Sequence, residues 1–466
     1  MKQQPKYKIT TLNIIKVIKT FPYGGTHPPD NKITAANKII YPPLPSSVTI
    51  PLAQHAGIPS VPLVNKGDRV LVGQLIAKAG GFISANIHSS VSGVVNKIDK
   101  VLDSSGYKQN SVIIDVDGDE WISSIDRDPR VKREILLSGE EILNRCFESG
   151  IVGLGGAAFP THVKLKVPSG KKCNLLIING VECEPYLTSD HRLMLEKGDE
   201  IITGILIMMK ALNVNRVMIG IENNKQDAIE HLRDLCNGIK ELTVHPLKVK
   251  YPQGGEKQLI KSLINREVPH EGLPIDVGVV VQNVSTAFAV YEAVQKNKPL
   301  IDRVVTITGK SLVFPSNYMV RFGTSVSSLI KAAGGLPENT GKIINGGPMM
   351  GKAVSTADVP VVKATSGIVV LSKEESVRRP VEPCIRCGKC NSVCALKLEP
   401  YLLMAFCQKD MMERAETERI TDCCECGSCS FICPASRPLL DYIRLGKSQV
   451  LRVKRERTLE KVKQNG

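Results

Sequence analysis

The chain has 466 residues, is 42% hydrophobic and 23% charged, and carries a formal net charge of +15; that describes several globular domains and excludes a disordered chain. Aromatic residues are 4% of it, with one Trp, too few for a carbohydrate cleft or a base-stacking platform. Ten of the 14 cysteines fall between Cys384 and Cys433, a crowding that fits metal ligands in a reducing compartment and not the spread pairs of a small secreted disulfide scaffold. Met1–Thr20 is Lys-rich and has no apolar run followed by a cleavage site, so no signal peptide is expected. The most apolar stretch, Ile201–Met209, falls far short of a membrane span, and none is expected.

Residues 1–45 form an N-terminal arm, rich in Pro and Gly from Phe21 to Pro45. Residues 46–120 read as short strands at Val61–Val64, Arg69–Val72, Leu75–Ala77, Ala85–His88 and Gly93–Ile98, with turns at Lys66-Gly67-Asp68 and Ser92-Gly93. Residues 130–300 alternate helices (Glu140–Ser149, Asp199–Leu212, Gln226–Cys236, Glu256–Ile264) with apolar strands (Asn174–Ile178, Arg216–Ile221, Val277–Gln282). That alternation predicts an α/β unit with a largely parallel sheet. Residues 301–350 return to short strands around one helix, Ser325–Ala333. Residues 373–446 hold the cysteines. The tail 447–466 has seven Lys/Arg against two Glu and reads as a basic amphipathic segment.

Within the α/β block, four segments stand where ligands are held. Gly153-Leu154-Gly155-Gly156-Ala157-Ala158-Phe159-Pro160 is a glycine loop that can bring backbone N–H groups close to phosphate, although the dinucleotide pattern G-x-G-x-x-G is not matched. Asn179-Gly180-Val181-Glu182-Cys183-Glu184-Pro185 follows an apolar strand, where α/β sites open. Tyr251-Pro252-Gln253-Gly254-Gly255-Glu256-Lys257 is a second Gly loop at a helix N-terminus, suited to an anion. Gln282-Asn283-Val284-Ser285-Thr286 ends the next strand.

Cys384, Cys387, Cys390 and Cys394 are spaced C-x2-C-x2-C-x3-C, and the pattern returns 39 residues later at Cys423, Cys426, Cys429 and Cys433. This is the spacing of two-cluster ferredoxins, in which the fourth thiolate of each run crosses to the other cubane. Cys384, Cys387, Cys390 and Cys433 are thereby assigned to one [4Fe–4S] cluster, and Cys394, Cys423, Cys426 and Cys429 to the other. Structural zinc fits poorly: zinc modules use CxxC pairs or add His, and the last of the eight histidines is His270. Ala395 replaces the Pro usual after the first run, and Cys407 and Cys424 lie outside the pattern as small buried hydrophobes.

The four loop segments resemble, in order, the FMN- and NADH-binding segments of the flavin-bearing subunit of respiratory complex I. With Tyr23-Gly24-Gly25-Thr26-His27-Pro28-Pro29, the strand module and the double cysteine motif, residues 20–446 resemble the C subunit of the Rnf electron-transport complex. The resemblance implies a multidomain α/β protein: a Rossmann-like FMN/NADH domain, a barrel-sandwich-hybrid N-terminal domain, a β-grasp domain and a two-cluster ferredoxin domain. It implies that Gly153, Gly155, Gly156 and Lys164 face flavin phosphate and ribityl. Asn179, Glu182 and Glu184 would lie beside the isoalloxazine and nicotinamide, the two Glu as catalytic groups. Gly254, Gly255 and Glu256 would form the second loop, with Asn283 on the flavin side. Leu154, Ala158 and Lys257 depart from the complex I pattern, which has Arg, Gly and an acid there. Gly67 to Val95 resembles a biotinyl/lipoyl module whose hairpin tip, Gly80-Gly81-Phe82, lacks the carrier Lys; Lys78 is off the tip. Residues 304–335 resemble a soluble-ligand-binding β-grasp domain with no ligand of its own.

The implied function is hydride exchange between NAD(H) and FMN, with single electrons passed through two [4Fe–4S] clusters. The expected location is the cytoplasmic face of the membrane, bound to membrane and ferredoxin-like subunits, with acidic ferredoxin an indirect partner. The positive charge is expected to serve that docking, and no nucleic-acid partner is expected without a recognition motif. Two alternatives stand beside it: a soluble homologue donating NADH electrons to a proline-type reductase, and a non-catalytic iron–sulfur relay with a lapsed nucleotide site.

Overall fold

The computed structural model describes residues 18–465, with side chains as far as Glu460; residues 1–17 of the expected arm lie outside the described residues. Among the described residues, no helix is long and apolar enough to cross a membrane.

The first unit is built from two antiparallel sheets. One takes the strands Ser47–Pro51, Lys108–Gly118, Ser92–Leu102 and Arg69–Val70 in that spatial order; the other takes Val61–Pro62, Leu75–Lys78 and Ile87–His88. They close over an aliphatic core of Val48, Ile50, Val70, Ile76, Ile87, Val112 and Ile114, the inward half of an alternating pattern. The hairpin Ser92–Leu102/Lys108–Gly118 runs beyond the expected Gly93–Ile98.

The second unit has a four-stranded parallel sheet ordered Leu242–Leu247, Val217–Glu222, Leu175–Asn179, Val279–Asn283. The first strand in the chain is therefore central, the next two are added on one side and the last on the other. Helices Gly198–Leu212 and Val284–Gln295 pack against each other so closely that a Cβ at Gly204 would strike the Ala287 carbonyl.

The third sheet has six strands in the order Ile39–Ile40, Ser316–Arg321, Asp302–Thr308, Gly367–Ser372, Thr340–Asn345, Lys352–Ala353. Its centre is the parallel pair Asp302–Thr308 and Gly367–Ser372. The sheet thus reaches past the expected 301–350 to Ser372, and it borrows an edge from the arm. The cysteine region has five short α-helices before Leu439–Asn465, which absorbs most of the expected 447–466 tail into one continuous helix. The inner half of that helix packs Ile443 and Val450 on Leu403 and Ile420.

A buried cation locks the first three units together. Lys363 is 1% exposed and its ammonium donates to the carbonyls of Asn86 (2.9 Å) and Gly150 (2.7 Å). Burial pulls its pKa down to about 7, while His88 is held neutral by burial and the Lys363 charge, at about 3. Between pH 7 and the ordinary lysine value, the unfolded chain binds a proton that the folded one does not, so stability rises with pH across that window. Wild type is expected to gain on Lys363→Met by up to about 1.4 kcal/mol per pH unit there. The check is the difference between the two melting temperatures from pH 7 to 9, and a gap that stays constant would contradict it.

Candidate functional site

In an open parallel sheet, ligands bind where strand order reverses, beyond the carboxyl ends of the strands. Here that point lies between Leu175–Asn179 and Val279–Asn283, whose last residues are paired across the sheet. An Asn stands at both ends, one at a helix start and one at a loop. Asn283 caps helix Val284–Gln295 by accepting the Ser285 N–H (2.8 Å) and donates to Asp190 (2.7 Å). Asn179 donates to the Gly254 carbonyl (2.9 Å), drawing the second glycine loop to the same crevice. The first loop arrives from outside the sheet: the Leu154 N–H donates to Thr286 Oγ1 (2.9 Å), and buried Arg303 donates to the Leu154 carbonyl (3.0 Å). Gly155 is packed on Asn283, where a Cβ would come within 2.8 Å of its side chain, whereas Gly156 faces open space. Lys164 reaches across to Glu256 at 2.5 Å, so these two predicted residues meet each other.

The acidic loop is braced from behind by cations. Lys32, in the arm, donates to the carbonyls of Glu182, Glu184 and Leu187 (2.9, 3.0 and 2.6 Å). Burial lowers Lys32 to about 8, which leaves it mostly charged at neutral pH. Lys225, 1% exposed, donates to the Val181 carbonyl (2.8 Å) and lies 3.6 Å from Glu222. Glu182, at φ 45, turns its carboxylate onto the start of helix Ser189–Glu196, accepting from the N–H groups of Asp190 (2.8 Å) and His191 (3.2 Å). It therefore acts first as a cap, stabilised by the helix dipole. Glu184 is the freer acid: burial pushes it up to about 7, and its carboxylate lies 3.2 Å from the Tyr251 hydroxyl and accepts the Met349 N–H (3.1 Å). Asp190, buried beside Glu182, is also raised, by desolvation first.

The cysteine region meets this crevice directly. None of the 14 cysteines is paired in a disulfide. Cys394, Cys423, Cys424, Cys426 and Cys429 line one small cavity with Leu398, Leu403 and Ile443. Cys390 and Cys433 pack against Met404, Leu439 and Cys429, while Cys384 and Cys387 are exposed. Donors from both motifs thus stand at each place, and their soft thiols and apolar walls suit iron–sulfur clusters. The arm explains its own motif: Gly25 N–H donates to the Val393 carbonyl (2.8 Å), and Gly24 (φ 71) lies so close that a Cβ would fall 2.6 Å from the Ala395 nitrogen. Asp422 completes the junction, 2.5 Å from His270 and 3.5 Å from Lys257.

Residues 146–292 match the model of the Nuo51 FMN-binding domain, 19–119 the RnfC barrel sandwich hybrid domain and 304–353 the SLBB domain. The C subunit of the proton-translocating ferredoxin:NAD(+) oxidoreductase complex of Clostridium ljungdahlii is 47% identical, over 93% of this chain and 94% of that protein. The Na(+)-translocating counterpart from Acetobacterium woodii is 42% identical, over 93% of this chain and 98% of that one. The chain belongs to the family of C subunits of Rnf-type ferredoxin:NAD+ oxidoreductase complexes.

As a member of this Rnf family, the chain is an oxidoreductase-type subunit with an FMN-binding-type domain, and each of its departures from the complex I pattern has a structural account. Leu154 is buried at 3% exposure, its side chain packed in the hydrophobic core while its backbone ties the loop to Thr286 and Arg303. Ala158 sits at φ 51, a left-handed position where glycine is unstrained and alanine costs roughly 1–2 kcal/mol. Lys257 turns toward Asp422 of the cysteine region. The sequence motifs do not single out Lys32, Lys225, Asp190 or Arg303 of this Rnf subunit. Only Asp190 had a local signal, standing eight residues after Glu182 in the same loop-to-helix segment.

Proposed function

We propose that this Rnf subunit exchanges hydride between NAD(H) and FMN at the switch-point crevice and passes single electrons through two [4Fe–4S] clusters to or from membrane and ferredoxin-like subunits. The observation that carries this is the shared wall: Tyr251 touches both Glu184 of the crevice and Cys426 of the cysteine region. Bound flavin would supply the conversion between two-electron and one-electron transfer. The chain's own residues hold and orient: Gly153, Gly155 and Gly156 offer backbone to a phosphate, Asn179, Gly254, Gly255 and Asn283 shape the floor, and Lys164 with Glu256 closes one side. Glu184, near 7, can hold or release a proton at its carboxylate around neutral pH; Glu182 keeps the loop in place. Cys384, Cys387, Cys390 and Cys433 would hold one cluster, and Cys394, Cys423, Cys426 and Cys429 the other, within a ferredoxin-type unit.

Taken in chain order, the five strands between Asp302 and Ser372 lie in sheet order 2-1-5-3-4, which supports a β-grasp unit. Arg378, Arg379, Arg386 and Lys389 are exposed around Cys384 and Cys387, which favours docking of an acidic partner from the cytoplasmic side. Anaerobic purification tests the proposal: about eight irons, as two cubanes require, one FMN, and loss of flavin absorbance on adding NADH are expected. Iron without flavin or NADH response would turn the reading into an electron relay.

A further inference from the structure

Tyr251 is the joint between the two redox sites, and the two-cluster reading does not by itself assign it a role. It is 2% exposed. Its backbone is fixed by a reciprocal pair of hydrogen bonds with Thr26, at 2.8 and 2.9 Å. Its hydroxyl donates to the Cys426 carbonyl (2.8 Å), with the Glu184 carboxylate also in range at 3.2 Å. A phenol has one proton to give, and the shorter contact is to the cysteine backbone. The circle is closed on the other side. Glu184 accepts the Met349 N–H, and the Met349 carbonyl lies where a Cβ on Gly427, the residue after Cys426, would come within 2.7 Å. Gly347 is likewise pressed against Glu184.

We infer that Tyr251 is a positioning residue for the second cluster, its phenol holding the Cys426–Gly427 peptide and setting the reduction potential of that cluster alone. This rests on the two-cluster reading above. The physical reason is electrostatic: hydrogen bonds near a cluster's thiolates favour the state with the added electron and raise its potential. A donor on the ligand's own carbonyl offsets the negative end of that peptide dipole. Replacing Tyr251 by Phe leaves the ring to fill the same space and takes away only the hydroxyl.

The test is redox titration of the anaerobically purified full-length protein, followed by EPR, in wild type, Tyr251→Phe and the exposed control Tyr107→Phe. Tyr251→Phe is expected to keep the wild-type iron content while one cluster's potential moves to a more negative value and the other stays; Tyr107→Phe moves neither. Replacing Tyr251 by a ring-fluorinated tyrosine, a stronger donor, is expected to shift the same cluster the opposite way. It also tests the inference should Tyr251→Phe fail to assemble. Unmoved potentials in the Tyr251 variants, or equal shifts of both clusters, overturn the role assigned to Tyr251. A wild-type protein with far fewer than about eight irons overturns the two-cluster reading instead.

Discussion

Replacing Cys394 by serine is expected to remove the same cluster as replacing Cys426, and to leave the cluster that Cys387 serves. Cys394 belongs to the first cysteine run, so a local rule would group it with Cys384, Cys387 and Cys390. In the fold its sulfur stands with Cys423, Cys426 and Cys429 around one apolar cavity and accepts the Leu398 N–H at 3.3 Å. Cys433 and Cys390 both pack against the apolar cluster of Met404, Cys429 and Leu439. An oxygen ligand at any of these sites weakens a cubane that depends on soft thiolate donors. The Cys394 and Cys426 variants are therefore expected to share one residual EPR signal and to fall to about four irons, and the Cys433 and Cys387 variants to share the other. Loss of the Cys387 signal in the Cys394 variant would overturn the crossed assignment.

The crossed assignment is read from spacing, since thiols at fixed intervals leave few ways to wrap a cubane, and the serine variants are its test. The parallel sheet was legible for a similar reason, since Leu175–Asn179, Val217–Glu222 and Val279–Asn283 are short apolar runs bounded by polar turns. What the sequence hid were elements whose cause lies far along the chain. Helix Ser189–Glu196 has no side-chain cap of its own, because Thr188 makes no such bond; its cap is Glu182, delivered by a loop in a left-handed conformation. Strand Leu242–Leu247 carries Pro246, which argues against a strand, and it survives as the sheet edge. Lys32 and Lys363 look like ordinary surface lysines in the sequence. Only the tertiary fold shows each of them spending its charge on backbone carbonyls of another unit. Eight of the cysteines have expected ligand roles. Of the rest, Cys407 is a packing residue, set so close to the long helix that a Cβ on Gly446 would strike its sulfur.

Gly155→Ala and Gly156→Ala are expected to part company, and the difference tests whether the first glycine loop holds a phosphate. At Gly155 a methyl meets Asn283 within 2.8 Å, and Asn283 cannot yield freely. It caps a helix and donates to Asp190, contacts worth about 1 kcal/mol each. This variant should therefore melt earlier and also lose flavin. At Gly156 nothing lies within 4 Å of the added atom, so the folded chain has no reason to object to alanine. A ligand does have one, because a methyl stands between its oxygens and the backbone N–H groups meant for them. Gly156→Ala is expected to keep the wild-type melting temperature of the flavin-free protein while its FMN affinity, followed by flavin fluorescence, falls at least about tenfold, which corresponds to roughly 1.4 kcal/mol. Were Gly156→Ala to bind FMN as wild type does, the loop would be a turn and the flavin phosphate would have to lie elsewhere in the crevice, with the Gly254–Gly255 loop at the start of helix Glu256–Ile264 next in line. Wild-type melting with weakened flavin binding can come only from a group that is not part of the chain.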